Sequence, residues 1–236
     1  MIIDRKIDGI FSRLIVSKCL VICHGLPYEP GSVIDKSYSD LAETFSREIP
    51  ALIFDFSGTG LSTGDFSLLK WVEDLTRIAS EFEKVYLLGF SMGGVIAIRA
   101  CAELENVEKL AVVASPYEFF IDENGLREIY ENAKSRNVLK GLKDFKSFSS
   151  NFINEFKEIE PKKWIKYVKC PILVVHGTLD EVVPFDHGKM IFNDANEPKS
   201  FIIVKNGSHF LRRDERVIKV IADWFADKIK EKELTI

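Results

Sequence analysis

A serine flanked by two glycines stands at the junction of two predicted elements. The segment Gly89-Phe90-Ser91-Met92-Gly93 has the form G-x-S-x-G, between an apolar run that predicts a strand over 85–90 and a pattern that predicts a helix over 92–104. A sharp strand-to-helix turn with this spacing exposes the serine hydroxyl above the sheet, and the glycines leave room for neighbouring backbone. Free N–H groups at the helix N-terminus favour negative charge that develops there. The spacing therefore predicts that Ser91 is a nucleophile rather than part of a structural glycine turn.

A serine hydroxyl is a weak nucleophile until a base takes its proton, and the chain has four histidines. His24 and His176 each end a predicted strand before a glycine, and His187 stands at a helix start. His209 lies in the turn Asn-Gly-Ser-His-Phe, between the last predicted strand and the final helix. Such a loop can carry a side chain across the carboxyl edge of the sheet, so His209 is the predicted general base.

An acidic residue between the serine and the histidine is needed to orient the imidazole. Asp180 follows a predicted strand through a tight glycine turn, in the segment His-Gly-Thr-Leu-Asp-Glu-Val-Val-Pro, and is therefore held at the same sheet edge. Glu181 and Asp186 are its rivals in that loop. Because the base must be neutral to accept a proton, we expect activity to rise with pH through about 6–7.

Short apolar runs alternate with amphipathic helical patterns along the chain. The runs predict strands over 19–23, 51–54, 85–90, 110–114, 172–175 and 201–204. The helical patterns cover 38–48, 68–83, 92–104, 185–192 and 216–232. This alternation is typical of an α/β protein with a mostly parallel, doubly wound sheet. Residues 1–17, with a turn at Gly9, predict an antiparallel hairpin at the edge of that sheet.

One segment, 116–167, breaks the alternation with helical patterns over 122–140 and 143–159 and no strand. It holds ten of the 27 Phe, Trp and Tyr residues, so it is rich in apolar surface for its size. Either these rings form the core of the insertion, or some face a site at the carboxyl edge, where open α/β sheets bind ligands. The candidate substrate contacts are Phe119, Phe120, Phe145, Phe148 and Trp164.

Composition excludes several function classes. The 236 residues are 46% hydrophobic and 29% charged, which argues against extended disorder, and the net charge of −4 without a basic stripe argues against a nucleic-acid partner. The apolar runs are far shorter than the roughly 18 residues that span a bilayer, and the N-terminus carries Asp4, Arg5, Lys6 and Asp8, where a signal peptide needs apolar residues. We expect a cytoplasmic protein with no membrane partner. The absence of glutamine is typical of thermophilic proteins, because amides are thermolabile.

The cysteines and histidines do not predict a metal site. Cys23 and His24 are strand neighbours that point to opposite faces, so one ion cannot readily take both. Cys19 and Cys23 lie about 13 Å apart along one strand, too far for a disulfide, and we expect reduced, buried thiols. The chain contains no G-x-x-x-x-G-K-[ST] phosphate loop. We therefore expect neither a metal nor another cofactor.

The chain resembles the α/β-hydrolase superfamily of serine hydrolases. The resemblance rests on the early segment HGLP at 24–27, followed in chain order by Ser91 in GFSMGG, Asp180 in HGTLDEVVP and His209 in GSHF. The segment DFSGTGLS at 55–62 looks like the D-x-x-G-x-G-x-S turn of that superfamily. The likeness covers most of the chain and is strongest to small carboxylesterases and the serine-aminopeptidase-like branch. It implies an α/β-hydrolase fold, with 1–236 as a single domain and 116–167 as an inserted helical cap.

The resemblance also implies an oxyanion hole made by the backbone N–H groups of Leu26 and Met92. Donors fixed in advance at such a site are each worth about 3–4 kcal/mol of barrier. His24 is expected to brace the loop that carries Leu26 rather than to react.

These observations predict a metal-independent serine hydrolase that cleaves esters with apolar, short-to-medium acyl or aryl groups through an acyl-enzyme on Ser91. Aminopeptidase and thioesterase activity with the same triad remain alternatives. An aminopeptidase needs acidic groups for the substrate ammonium, and the candidates are Glu118, Asp122 and Glu123. A ligand receptor without turnover is a further alternative, although an intact triad argues against it.

Overall fold

The computed structural model describes residues 2–7, 10–32 and 38–236 of the chain. The strands in these ranges are β1 (Ile2–Ile7), β2 (Ile10–Ile15), β3 (Lys18–Cys23), β4 (Ala51–Ile53), β5 (Lys84–Phe90), β6 (Val107–Val113), β7 (Ile172–Gly177), β8 (Lys199–Val204) and β9 (Glu233–Thr235). The helices are α1 (Ser39–Ser46), α2 (Leu68–Ser80), α3 (Met92–Cys101), α4 (Glu123–Ser135), α5 (Phe145–Ile159), α6 (Pro161–Trp164), α7 (Phe185–Asp194) and α8 (Glu215–Phe225).

Seven strands form one sheet in the order β4-β3-β5-β6-β7-β8-β9, and every described pair in it is parallel. Successive side chains of each strand point to opposite faces, and both faces are covered. Leu87 of β5 belongs to an apolar cluster that includes residues of α2, α3, α5 and α7, whereas its neighbour Leu88 belongs to a second cluster that includes residues of α1 and α8. The predicted α/β, doubly wound architecture is confirmed.

The predicted N-terminal hairpin is antiparallel, but it does not extend the main sheet. β1 and β2 pair only with each other among the described strands. β3, which follows them in the chain, is already bonded on both sides, by β4 and β5. The hairpin therefore cannot pair with β3, and the edge strands of the main sheet are β4 and β9. The predicted turn residue Gly9 lies outside the described residues.

The C-terminal segment also differs from its prediction, because the final helix ends at Phe225 and not at 232. Lys109, buried on β6, donates from Nζ to the carbonyls of Trp224 and Phe225 and to the carboxylate of Asp227. These bonds satisfy carbonyls that the end of α8 leaves free. Asp227 then takes a left-handed conformation with φ 61°, which turns the chain towards β9.

The insertion, residues 116–167, contains α4, α5 and α6. The first helix is shorter than predicted, because Asn137 adopts a φ of 51° shortly after α4 ends. Three rings of α5 are buried against α2 and α3, namely Phe148, Phe152 and Phe156. The Glu155 carboxylate accepts the N–H of Leu68 at the start of α2, and this hydrogen bond connects the insertion to α2.

Candidate active site

Ser91 occupies the turn between β5 and α3 in a strained backbone conformation, with φ 51° and ψ −121°. Its N–H donates to the Val113 carbonyl on the neighbouring strand, which fixes the turn at the carboxyl edge. A Cβ on Gly93 would lie 2.4 Å from the Cys23 carbonyl oxygen, and one on Gly89 would lie 2.5 Å from that of Gly93. Side chains at these two positions would push the turn off the sheet, so only glycine fits.

The structure brings the three predicted triad residues together. His209 Nε2 lies 3.1 Å from Ser91 Oγ, and His209 Nδ1 lies 3.0 and 2.9 Å from Asp180 Oδ1 and Oδ2. The loops after β7 and β8 are joined by backbone bonds, because the Leu179 N–H donates to the Gly207 carbonyl. Nδ1–H can therefore donate to the carboxylate while Nε2 accepts from the serine hydroxyl. This is the arrangement that a nucleophile and its base require.

The surroundings of Asp180 keep its buried side chain ionised. Burial alone would raise the pKa of this carboxyl, but hydrogen bonds from His176 and His209 and from the Val183 N–H outweigh it and hold the pKa below its usual range. Asp180 Oδ1 also accepts the N–H of Val182 at 2.9 Å. The carboxylate is thus fixed by bonds on several sides, which fixes the imidazole in turn.

The two rival acids lie elsewhere. Glu181 Oε2 accepts a hydrogen bond from the backbone N of His209 at 3.4 Å, and not from the imidazole ring. Asp186 is paired with Lys189 on the exposed side of α7. Among these three carboxylates, only that of Asp180 is hydrogen-bonded to the imidazole.

His176 is a site residue to which the sequence analysis assigns no role. It is fully buried at the end of β7, with Nε2 2.9 Å from the Val183 carbonyl and 3.3 Å from Asp180 Oδ2. Both neighbours are acceptors, so Nε2 carries the hydrogen and supports the catalytic loop. The available signal was its position four residues before Asp180, but only the folded loop shows that the two side chains meet.

The predicted oxyanion donors lie at two backbone segments beside Ser91. Met92 is the first residue of α3, where a helix has no carbonyl one turn earlier to accept the N–H. Gly25, which precedes Leu26, lies so close that a Cβ on it would be 3.6 Å from Ser91 Oγ. The loop with Leu26 therefore passes close to the Ser91 side chain.

His24 braces that loop, as expected. Its Nδ1 lies 2.6 Å from the Gly25 carbonyl, and Nε2 accepts the N–H of Phe56 at 3.1 Å. Burial lowers the pKa of His24 to about 4, so the ring is neutral at ordinary pH. A neutral ring with Nδ1–H satisfies both contacts, which joins the loops after β3 and β4.

The five aromatic candidates are spread over the insertion. Phe120 is exposed, and its ring centroid lies 4.6 Å from that of His187 in the first turn of α7, beyond the carboxyl ends of β6 and β7. Phe119 packs on Phe156, and Phe145 packs on Tyr130.

The other two candidates are packed into the protein. Phe148 is buried between Phe66 and Tyr130. Trp164 stacks on the guanidinium of Arg99 in the last turn of α3. Arg99 lies eight positions from Ser91, about 12 Å along the helix. Trp164 is therefore at the opposite end of α3 from Ser91, and of the five rings Phe120 is the one that lies exposed beside the first turn of α7.

Two kinds of feature are absent from the ranges that the structure describes. No three His, Cys, Asp or Glu side chains in those ranges are grouped so that they could hold a metal ion. No helix in them is long and apolar enough to cross a membrane.

Comparison with known proteins assigns this sequence to one family. The model of a family described as the alpha/beta hydrolase family matches residues 20–222. The lysophosphatidylserine lipase ABHD12 of Gallus gallus is 28% identical over 158 residues, which are 63% of this chain and 40% of that protein. The alpha/beta hydrolase domain-containing protein aho-3 of Caenorhabditis elegans is 32% identical over 149 residues, 59% of this chain and 37% of that protein. The chain thus spans about two-fifths of the length of these relatives.

Solved structures show the same fold. A thermophilic esterase from Thermogutta terrifontis superposes with a TM-score of 0.69 at 16% identity, covering 90% of each chain. An esterase from Exiguobacterium antarcticum gives 0.67 at 17% identity, covering 92% of this chain and 93% of that one. At such identities the likeness concerns the fold alone.

Proposed function

Because this chain belongs to the alpha/beta hydrolase family, we propose that it is a serine hydrolase that cleaves carboxylic esters through an acyl-enzyme on Ser91. The observation that carries the proposal is the line of hydrogen bonds from Ser91 Oγ through His209 to the Asp180 carboxylate. A structural turn would need neither a base at 3.1 Å from the hydroxyl nor a buried acid behind that base.

In the proposed reaction, Ser91 Oγ attacks the ester carbonyl carbon while His209 Nε2 takes the hydroxyl proton. Asp180 keeps the proton on Nδ1 and stabilises the imidazolium that forms. The imidazolium then gives its proton to the departing alkoxide, which leaves as an alcohol. A water molecule, deprotonated by the same nitrogen, attacks the acyl-enzyme. The bond between Ser91 Oγ and the acyl carbon then breaks, the imidazolium returns its proton to Oγ, and the acid is released.

We assign the oxyanion of each tetrahedral intermediate to the N–H groups of Met92 and Leu26. The first turn of α3 adds the partial positive charge of a helix N-terminus at that point. Each donor contributes about 3–4 kcal/mol of barrier lowering in sites of this kind.

The proposed substrates are esters with apolar acyl or aryl groups. Exposed apolar side chains lie on the loops at the carboxyl edge, where the triad stands, and these include Tyr28, Phe120, Leu179, Val182 and Phe210. Such a rim favours the apolar part of a substrate over a charged one.

The acidic groups that an aminopeptidase would need are engaged elsewhere. Glu118 is paired with Lys162, and Asp122 caps the start of α4 by accepting the Gly125 N–H. Glu123 lies beside Arg127 on the same helix. These contacts favour an esterase over an enzyme that binds a substrate ammonium.

Labelling with a fluorophosphonate tests the nucleophile. The wild-type chain should gain one covalent adduct, and Ser91→Ala should gain none and lose about 10⁶-fold in kcat on p-nitrophenyl esters. Ser208→Ala is the matched control, because Ser208 is an exposed serine beside the base, and it should label normally. Equal labelling of Ser91→Ala and the wild type would contradict the proposal. Turnover of aminoacyl-p-nitroanilides without turnover of esters would replace the esterase by a peptidase.

A pair of aromatic variants tests the proposed rim. Phe120→Ala should lower kcat/KM for aryl or medium-chain esters by about tenfold relative to the acetyl ester, because it removes apolar contact only from the larger group. Trp164→Ala should leave this ratio unchanged, since the indole stacks on Arg99 away from the site. Kinetics over a series of acyl lengths provide the measurement, and the opposite ranking of the two variants would refute the placement.

A further inference from the structure

Two cysteines meet at the end of the molecule opposite the triad. Cys101 is the last residue of α3, and Cys170 lies two residues before β7. Their sulfur atoms are 3.5 Å apart, although the residues are separated by 69 positions in the chain. A small side-chain rotation can bring sulfurs at this distance to bonding separation.

The two thiols have different surroundings. Cys101 is buried, whereas Cys170 is half-buried. Both line a cavity of about 290 Å³ whose rim includes the exposed residues Glu103 and Lys169. A small reagent in that cavity would therefore reach the sulfur of Cys170 first.

The contact between the sulfurs also sets their acidity. Donation of the Cys101 S–H towards Cys170 raises the pKa of Cys101 and lowers the pKa of Cys170. Burial raises the pKa further at Cys101. The more accessible sulfur is thus the one with more thiolate character, and thiolates are the nucleophilic form of cysteine.

We propose that Cys101 and Cys170 form a redox-active pair, a modification site that takes a peroxide as its oxidant and is converted to a disulfide. The Cys170 thiolate attacks one oxygen of hydrogen peroxide, so that an S–O bond forms, the O–O bond breaks and hydroxide leaves to be protonated to water. The Cys101 sulfur then attacks the sulfur of the Cys170 sulfenic acid. The S–S bond forms, the S–O bond breaks, and a second water departs with the Cys101 proton. In sum, two thiols and one peroxide give one disulfide and two waters.

The Cys101–Cys170 disulfide would cross-link the two ends of a segment that contains the insertion. The stretch 101–170 contains β6 and the whole of 116–167, while the triad residues lie outside it. Closing this loop restricts the unfolded chain. Oxidation should therefore increase heat resistance and leave the triad geometry unchanged.

Peroxide treatment followed by mass analysis tests the pair. The purified protein is exposed to a modest excess of hydrogen peroxide, quenched with catalase, then unfolded and alkylated with iodoacetamide. Two of the four thiols should escape alkylation. The protein should be lighter by two hydrogen atoms before alkylation, and digestion should yield one peptide pair that links Cys101 to Cys170. Dithiothreitol should reverse the change, and Tm should rise by about 10 °C on oxidation.

Two variants distinguish oxidation of the Cys101–Cys170 pair from oxidation of the other thiols. Cys170→Ser should show no oxidative rise in Tm and no linked peptide. Cys19→Ala keeps the pair and should respond like the wild type, because burial raises the pKa of Cys19 to about 11 and makes it unreactive. Should Cys170→Ser fail to fold, the peptide map of the wild type still decides. Alkylation of both Cys101 and Cys170 after oxidation, or a Cys170 sulfinic acid without the linked peptide, would overturn the proposal.

Discussion

Replacing Asp180 by asparagine tests how the imidazole is oriented, because the surroundings of this carboxylate dictate how an amide would sit. Oδ1 accepts the N–H groups of Val182 and Val183 at 2.9 and 2.8 Å, so the amide oxygen should take that position. The NH₂ group then occupies the position of Oδ2, 2.9 Å from His209 Nδ1 and 3.3 Å from His176 Nε2.

A donor at that position reverses the imidazole tautomer. The amide oxygen, 3.0 Å from His209 Nδ1, already accepts two N–H groups, so the NH₂ at 2.9 Å favours an accepting Nδ1. The hydrogen then moves to Nε2, which points at Ser91 Oγ and can no longer take its proton. Turning the amide over would restore the bond to His209 but leave the N–H groups of Val182 and Val183 facing a donor. Val183 is buried, and a buried N–H without an acceptor costs about 1–3 kcal/mol, so this rescue is unfavourable. We expect kcat to fall by about 10⁴-fold, which corresponds to about 5.4 kcal/mol of barrier.

The assay is hydrolysis of p-nitrophenyl butyrate at saturating substrate, with circular dichroism to confirm that Asp180→Asn is folded. Glu181→Gln is the matched control, since Glu181 is the adjacent acid and contacts only the backbone N–H of His209. Loss of one such exposed bond is worth about 1 kcal/mol, so Glu181→Gln should lose less than about tenfold. Near-normal activity of Asp180→Asn together with an inactive Glu181→Gln would refute the assignment of the acid.

Two further predictions concern stability. His24 has a pKa of about 4 in the folded chain against an ordinary 6.5, so the unfolded chain binds protons more readily and stability is lost as the pH falls from about 6.5 to about 4. The loss in the free energy of unfolding amounts to about 3 kcal/mol. Urea unfolding at pH 7 and pH 4 should show a smaller decrease in this free energy for His24→Gln than for the wild type. Equal decreases would contradict the neutral, buried ring. The φ of 51° at Ser91 is strained for any side chain, so Ser91→Gly should exceed Ser91→Ala in stability by about 1 kcal/mol, a Tm difference of about 3 °C by calorimetry. A lower Tm for Ser91→Gly would mean that the turn stores no such strain.

Much of the fold and most of the proposed chemistry follow from local patterns. Each of the six predicted strands has its counterpart in the sheet, because continuous apolar runs are needed where both faces of a parallel sheet are covered. Ser91 follows β5 directly, and Asp180 and His209 lie in the loops that follow β7 and β8. In a parallel sheet all such loops meet at one edge, so chain order alone brought these three residues to the same rim.

Other features depend on contacts between distant elements. The final helix stops at Phe225 because Lys109, on β6, binds its last carbonyls, and no pattern near residue 225 records that partner. The course of the insertion carries Trp164 to the end of α3 far from Ser91, whereas Phe120, an aromatic residue of the same insertion, lies beside the start of α7.

The sequence by itself determined that Ser91 stands at a glycine turn after one strand, that Asp180 and His209 stand on loops after later strands, and that a parallel sheet brings such loops to one edge. Tertiary structure alone decided that His176 meets Asp180 and that Cys101 meets Cys170. Local conformation depends on residues that are neighbours in the chain, so it can be predicted from the sequence. Contacts between side chains many positions apart depend on how helices and strands pack, and a few ångströms of packing decide whether two groups touch or not.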